Sequence, residues 1–160
     1  MFGITSKDAD NLGAGLKICK KLRILKIYNS KMDDDKFYSV FDGIKNLGGL
    51  EIINFQNNVM TDESAETMVK LISGQPNLKK LDLTNNRFSD RTAKHIGSYI
   101  SANQSKTKLE IFNFSLNSLK NRGFGYIAEV FKYVLIRYLL IGVPMSCRPV
   151  ATNFRMIRHG

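Results

Sequence analysis

The stretch Leu78-Lys-Lys-Leu-Asp-Leu-Thr-Asn-Asn-Arg-Phe88 alternates apolar and polar residues and then ends on two asparagines, an arginine and a phenylalanine. Alternation of this kind predicts a β-strand with one buried side. The stretch reads as L-x-x-L-x-L-x-x-N-x-L, where any apolar residue can stand at an L position. The same pattern returns elsewhere in the chain, which indicates that the stretch is one unit of a repeat.

Five copies of the pattern follow one another along the sequence. The first two steps are 28 residues long, the third is 31 and the fourth is 26. The copies predict parallel strands near residues 22–30, 50–58, 78–86, 109–117 and 135–143. In the fifth copy Tyr138 and Leu140 take the core positions that Phe112 and Phe114 hold in the fourth. This copy is the least regular, because Val143 stands where a polar residue is expected.

An apolar stripe with helical spacing follows each of the first four copies. The stripes are Phe37, Val40, Phe41 and Ile44; Ala65, Met68, Val69 and Ile72; Ala93, Ile96, Gly97 and Ile100; and Phe124, Ile127, Ala128 and Phe131. Asp33, Thr61 and Ser89 precede three of them and are residue types that cap helix N-termini. Extending the stripes predicts two more helices, over residues 9–16 and 147–158.

This repeat of strand, loop and helix resembles the leucine-rich repeat family, in particular its ribonuclease-inhibitor-like class with units of about 28 residues. The resemblance covers nearly the whole chain. It implies an α/β solenoid shaped as a horseshoe arc, with about five parallel strands on the concave face and about six helices on the convex face. We expect one leucine-rich repeat domain over residues 1–160, as a fragment or truncated array of a longer one.

Asparagines at the ninth position of three copies are expected to form a structural ladder. They are Asn58, Asn86 and Asn117. A side-chain amide both donates and accepts hydrogen bonds, so it can satisfy the backbone groups left unpaired where each strand turns outward. Ser30 can do this more weakly in the first copy.

The strand residues between the core positions are expected to point to the concave face and to bind a partner. The predicted contacts are Lys26, Tyr28, Asn54, Gln56, Lys80, Asp82, Thr84, Asn113 and Ser115. Beside this polar strip Ile24, Ile52 and Ile111 form an apolar line, and such a combination suits protein recognition. The alternative is that these side chains only cover a solvated sheet.

The formal charge of +10 belongs to the two ends of the chain. Residues 1–31 carry seven Lys/Arg and two Asp/Glu, and residues 132–160 carry five Lys/Arg and no acid. Nucleic-acid binders usually have a basic stripe interleaved with aromatic residues, and none is visible, so no nucleic-acid partner is expected. An acidic protein surface approached by one end, such as a microtubule lattice, fits at least as well. A solvated basic surface is the alternative.

No catalytic or metal-binding constellation emerges from the sequence. Gly13-Ala-Gly15 lacks the preceding strand and the following lysine and serine of a phosphate loop. Asp33-Asp34-Asp35 falls at a predicted helix start, where carboxylates favour the positive end of the helix dipole. His95 and His159 are solitary. We therefore expect no enzyme, no cofactor, no metal and no small-molecule substrate.

The cysteines and the apolar segments favour a cytoplasmic protein. Cys19 and Cys147 lie near opposite ends of an elongated stack, so both are expected to be reduced thiols. The run at residues 133–143 is interrupted by Arg137 and is about half as long as a membrane span. No membrane contact is expected.

Two functional classes follow from the resemblance. The helix-rich units look like those of ciliary and flagellar repeat proteins, including the leucine-rich subunit of the dynein regulatory (nexin) complex. This implies a non-catalytic protein-protein interaction scaffold in a large cytoskeletal assembly such as the ciliary axoneme. The alternative is an activator of a small GTPase of the Ran type. That family supplies a loop arginine that stabilises the transferring phosphoryl group, and Arg87 takes a comparable place, although the acidic tail usual there is absent.

Overall fold

The computed structural model describes residues 3–133 and 138–140, with side chains as far as Val130. Short strands and helices alternate along this part of the chain. The strands are β1 (Ile24–Lys26), β2 (Ile52–Asn54), β3 (Lys80–Asp82), β4 (Ile111–Asn113) and β5 (Tyr138–Leu140). The α-helices are α1 (Ser6–Leu16), α2 (Asp34–Ile44), α3 (Ala65–Ser73), α4 (Asp90–Ala102) and α5 (Asn121–Tyr133), and a 3₁₀ turn at Asp62–Ser64 leads into α3.

All the described strands lie in one parallel sheet in the order β1-β2-β3-β4-β5. Each strand therefore pairs with its neighbour in sequence, as expected when every unit stacks on the one before it. Asp33, Thr61 and Ser89 accept hydrogen bonds from the backbone amides of Lys36, Glu63 and Arg91, which confirms the three predicted N-caps. The prediction of an α/β leucine-rich repeat fold is confirmed.

The helices cover one face of the sheet, and the core lies between them. The central residue of each of the first four strands is buried: Leu25, Ile53, Leu81 and Phe112. Phenylalanines then link successive units, with Phe37 and Phe55 meeting edge to face at 5.6 Å between ring centroids. Burying one such side chain contributes about 1.5–3 kcal/mol. Since the core is continuous, no unit can bury its apolar side alone.

The other face of the sheet, which we call the open face, bears no helix among the described elements. Its first four units contribute the first and third residue of each strand and the residue two positions beyond it. These are Ile24, Lys26 and Tyr28; Ile52, Asn54 and Gln56; Lys80, Asp82 and Thr84; and Ile111, Asn113 and Ser115. The open face corresponds to the predicted concave face. The horseshoe arc itself, and the extent of the domain over residues 1–160 within a longer array, stay predictions.

The register predicted for the fifth strand is wrong by one residue. Phe112 pairs with Leu139 and not with Tyr138, while Asn113 pairs with Leu140. Moving a strand by one residue exchanges its two faces. Residues 138–141 are all apolar, so their sequence carries no alternation that could have fixed the register.

Two of the predicted helical stripes also need correction. Ala128 is exposed, and Val130 is buried in its place. Leu12, predicted to face the core from α1, is 36% exposed. The predicted sixth helix at residues 147–158 lies outside the described residues, as do Cys147 and His159, so the predicted totals of strands and helices for the whole chain are not tested. None of the described helices has the length and apolarity that crossing a membrane requires.

Candidate functional site

The site is built on a ladder of buried asparagines that fixes the ends of the strands. Asn86 is 7% exposed, and its Nδ2 donates to the carbonyls of Phe55 and Leu83 at 3.0 and 3.1 Å. Its Oδ1 accepts from the backbone N–H of Met60 at 3.2 Å. Asn58 and Asn117 make the same kinds of bonds in the flanking units. Each of these amides joins two units, so they support the open face without belonging to it.

A second asparagine ladder on the surface was missed in the sequence. Asn57 donates to Asn29 at 2.7 Å and Asn85 donates to Asn57 at 2.9 Å, between Nδ2 and Oδ1 in both cases. All three residues have positive φ, between 51° and 55°. Asparagine tolerates this conformation better than most residues. The sequence signal for this ladder was a pair of adjacent asparagines in each of two units. Only the second asparagine of each pair was interpreted.

Acidic residues at the helix starts form a further link between units. Asp62 accepts from the backbone N–H of Ser89 at 2.8 Å and from the hydroxyl of Thr92 at 2.6 Å, and it also accepts from the Ser89 hydroxyl. Partial burial raises the pKa of the Asp62 carboxyl, but these bonds outweigh it, so the pKa lies below its ordinary value of 3.8. Asp34 and Asp90 accept from the backbone of the next unit in the same way.

The hydrogen bonds of the Asp62 carboxylate predict that the free energy of unfolding depends on pH. Because folding lowers the pKa of Asp62, its carboxylate stabilises the fold above about pH 4, and that stabilisation is lost as the pH falls further. Asp62→Asn should lower the free energy of unfolding at pH 7 by about 1–2 kcal/mol and flatten its decline below about pH 4. Urea unfolding from pH 7 to pH 3 measures both effects, with the exposed Asp35→Asn as control. An unchanged pH profile in Asp62→Asn would contradict the assignment.

Three of the predicted partner contacts are engaged at the ends of their own strands. The Oδ1 atoms of Asn54, Asp82 and Asn113 accept from the backbone N–H two residues further on, at 2.9, 3.1 and 3.2 Å. Asp82 is only 6% exposed and also accepts from the Thr84 hydroxyl at 2.6 Å. Asp82 thus has a structural role within its own unit, and its role as a partner contact stays a prediction. The alternation of the strand does not reveal that the Oδ1 atom of Asp82 already accepts two hydrogen bonds from Thr84.

The remaining predicted contacts form the accessible part of the open face. Lys26 is exposed and Tyr28 is 48% exposed, whereas Gln56, Lys80 and Ser115 are half-buried. Among the described residues neither lysine makes an ion pair. The apolar line runs beside them and begins at Ile24, which is 50% exposed. Lysine charge, amide groups and apolar surface are thus combined on one rigid sheet.

The other residues that were considered for metal binding or for stimulating a GTPase make contacts within the fold. Asp33 pairs with Lys36 at 2.7 Å, and Asp34 bonds Thr61. No group of three or more His, Cys, Asp or Glu side chains within the described ranges could hold a metal ion. Arg87 is exposed in the loop between β3 and α4, and its backbone N–H donates to the Met60 carbonyl at 2.9 Å.

A depression of about 380 Å³ lies on the opposite side of the molecule, between α1 and α2. Its polar side chains bond one another: Lys17 meets Asp42 at 2.5 Å, and Ser39 donates to Asp10 at 2.6 Å. The bonds from Lys17 and Lys45 lower the pKa of Asp42 to about 2. These groups hold the two helices together and are not arranged around a ligand.

The stacked strand-helix units with their asparagine ladder have the leucine-rich repeat fold, and the comparisons with known proteins agree with this fold. A family model described as Leucine Rich repeat matches residues 74–96. The chain is similar in structure to leiomodin-1 actin-binding site 2, with a TM-score of 0.70, 11% identity, and 90% of this chain and 83% of that chain covered.

A further solved structure is an internalin from Listeria monocytogenes, with a TM-score of 0.44, 18% identity, and 79% of this chain and 36% of that chain covered. A comparison with curated proteins finds no match. At 11% identity, the likeness to the leiomodin-1 domain shows the fold alone.

Proposed function

We propose that this protein is a non-catalytic scaffold that binds another protein on its open face. The observation that carries the proposal is the accessible strip of Lys26, Tyr28, Gln56 and Lys80 beside the isoleucine line. Polar and charged groups next to apolar surface are the usual composition of a protein interface. An open sheet surface of this composition suits a macromolecule better than a small substrate, which usually binds in a concave pocket.

The rigidity of the sheet also supports protein binding. Asn58, Asn86 and Asn117 fix the chain directly beyond each strand, and the open-face side chains stand on that fixed backbone. A preorganised surface loses less conformational entropy on association, which leaves more of the contact energy as affinity.

The assembly we propose is cytoplasmic and cytoskeletal, with the ciliary axoneme as the first candidate. Its support is the resemblance of the helix-rich 28-residue units to those of axonemal repeat proteins. The alternative is an activator of a small GTPase of the Ran type, for which the exposed position of Arg87 is the favourable observation. Because the similar leiomodin-1 domain is named as an actin-binding site, actin is a third partner to look for in the same experiment.

A pull-down with matched variants tests the proposal. The open-face variant combines Gln56→Arg with Lys80→Glu, and the control combines Ser98→Arg with Lys94→Glu on the exposed side of α4. The charge changes are the same in the two pairs. Partners are identified by mass spectrometry, and their recovery from cell extract is compared at equal bait. We expect the open-face variant to lose at least tenfold in recovery and the control to retain it, since buried charge mismatches at an interface cost several kcal/mol.

The identity of the captured proteins separates the candidate functions. Axonemal or tubulin-associated proteins support the ciliary scaffold. The alternative is supported if a small GTPase is recovered, if the protein accelerates GTP hydrolysis by that GTPase, and if Arg87→Ala loses the acceleration. This result would contradict the non-catalytic scaffold. Equal recovery by the open-face variant and the control contradicts binding through the open face.

A further inference from the structure

Leu116 has a backbone conformation that suits asparagine better than leucine. It takes the place in the fourth unit that Asn29, Asn57 and Asn85 take in the first three, and its φ is 56°. Asparagine adopts positive φ more readily than most residues with a side chain, whereas leucine is strained there. Leucine also lacks an amide that could donate to Asn85, so the surface asparagine ladder does not continue into this unit.

Burial does not offset this strain, because Leu116 is 57% exposed. Asn57 and Asn85 are exposed at the same position, although a described strand-helix unit lies on either side of each. Exposure is therefore a property of this position in the unit. Strained residues cluster where a protein contacts another molecule, and a strained leucine that gains little from its own core indicates such a contact.

Leu116 lies in one of two loops that run side by side. The first loop joins β3 to α4, and the second joins β4 to α5. The backbone N–H of Asn85 donates to the Ser115 carbonyl at 2.9 Å, and that of Ser118 donates to the Phe88 carbonyl at 2.7 Å. The two loops therefore present one continuous surface next to the open face.

This surface, which we call the loop edge and define as residues 83–90 and 114–122, is positively charged. It contains one acidic residue and three basic residues, all three of them exposed: Arg87, Lys120 and Arg122. None of the basic side chains makes an ion pair within the described part of the chain. The acid, Asp90, accepts a hydrogen bond from the backbone N–H of Lys120 at 2.7 Å. The loop edge therefore attracts acidic segments and repels basic ones.

We propose that the loop edge binds an acidic segment of a partner protein that places an apolar side chain on Leu116. Asp or Glu residues on either side of that side chain meet the three basic residues of the loop edge. An apolar contact surrounded by charged groups is the usual composition of a protein interface. The two aromatic residues of the loop edge, Phe88 and Phe114, are buried, so it offers no ring on which a nucleic-acid base could stack.

The probe for the test is a phage-displayed library of random dodecapeptides, which is selected on the full chain. We expect the enriched peptides to contain a leucine, isoleucine or phenylalanine between Asp or Glu residues. Calorimetry then compares synthetic copies of these peptides on the wild type and on Leu116→Asn. Their affinity should fall by about tenfold or more in the variant. Dodeca-glutamate, which offers charge without an apolar side chain, should bind the wild type more weakly than the selected peptides do.

Leu116→Asn removes the apolar contact without weakening the fold. Because asparagine tolerates positive φ and can donate to Asn85, the variant should raise the midpoint of thermal unfolding by about 2–4 °C. A loss of peptide binding then cannot be attributed to unfolding. Lys120→Glu should also weaken binding several-fold, whereas Lys94→Glu, the same charge change on the exposed side of α4, should leave it unchanged.

Three results would overturn the proposal. The first is a selection that yields no binder, or only binders with equal affinity for the wild type and Leu116→Asn. The second is equal weakening by Lys120→Glu and Lys94→Glu, which would indicate a response to net charge alone. The third is a lower unfolding midpoint in Leu116→Asn, which would assign the leucine to the fold. The pull-down of the open-face variant changes Gln56 and Lys80 and no residue of the loop edge, so the two proposals can fail separately.

Discussion

Replacing Asn86 by alanine is expected to lower the free energy of unfolding by about 3 kcal/mol. The substitution leaves the N–H of Met60 without its partner. It also removes one of the two side-chain donors from the carbonyls of Phe55 and Leu83, which keep their bonds from Asn58 and Asn117. Each lost bond to these carbonyls costs about 0.5–1.5 kcal/mol. Each unsatisfied buried group costs about 1–3 kcal/mol, and water entering the cavity can recover part of the loss. Equilibrium urea denaturation measures the difference.

The neighbouring asparagine provides the control. Asn85 is exposed, has φ of 51° and makes one side-chain bond to Asn57. Asn85→Gly loses that bond but relieves the positive φ, so we expect a change within about 0.5 kcal/mol. If Asn86→Ala cost no more than Asn85→Gly, the buried ladder would not be the link that holds successive units together.

Gly13→Ala is expected to destabilise the protein by about 2–3 kcal/mol, because it forces α1 away from α2. A Cβ atom at this position would lie 2.2 Å from the carbonyl oxygen of Ser39, and one at Gly43 would lie 2.3 Å from the carbonyl oxygen of Gly13. The two helices thus approach through glycine on both sides. The relevant neighbours are backbone atoms, which cannot move aside as a flexible side chain can.

The control for this prediction lies in the same helix. A Cβ atom at Gly15 would have no neighbour within 4 Å. Gly15→Ala should therefore stabilise α1 by about 0.5–1 kcal/mol, the helix-propensity difference between the two residues. Thermal unfolding of the two variants should give midpoint shifts of opposite sign. Stabilisation by Gly13→Ala would contradict the close packing of α1 on α2.

The repeat fold could be predicted from the sequence because two periodicities coexist in every unit. The strand around Leu81 and the helix around Ile96 each have one apolar side that must be buried. Stacking of successive units is what buries these sides. The register of β5 could not be predicted, because a fully apolar segment such as residues 138–141 satisfies either face.

The candidate site could be predicted only in part. Alternation gives the direction of a side chain, and it correctly separates Lys26 and Lys80 from the buried Leu25 and Leu81. It does not show which polar atoms are already used within the fold. Asp82 is the clearest example, since its role depends on hydrogen bonds with Thr84 that follow from the turn beyond the strand.

The most direct test of the proposed function is to capture the partner from a defined position of the sheet. A photoreactive amino acid is placed at Gln56 on the open face or, in a second variant, at Ser98 on the exposed side of α4. Both variants are irradiated in the same cell extract at equal concentration. We predict that the partner found in the pull-down is crosslinked from position 56 and not from position 98. Crosslinking from position 98 alone, or equally from both positions, would contradict binding through the open face.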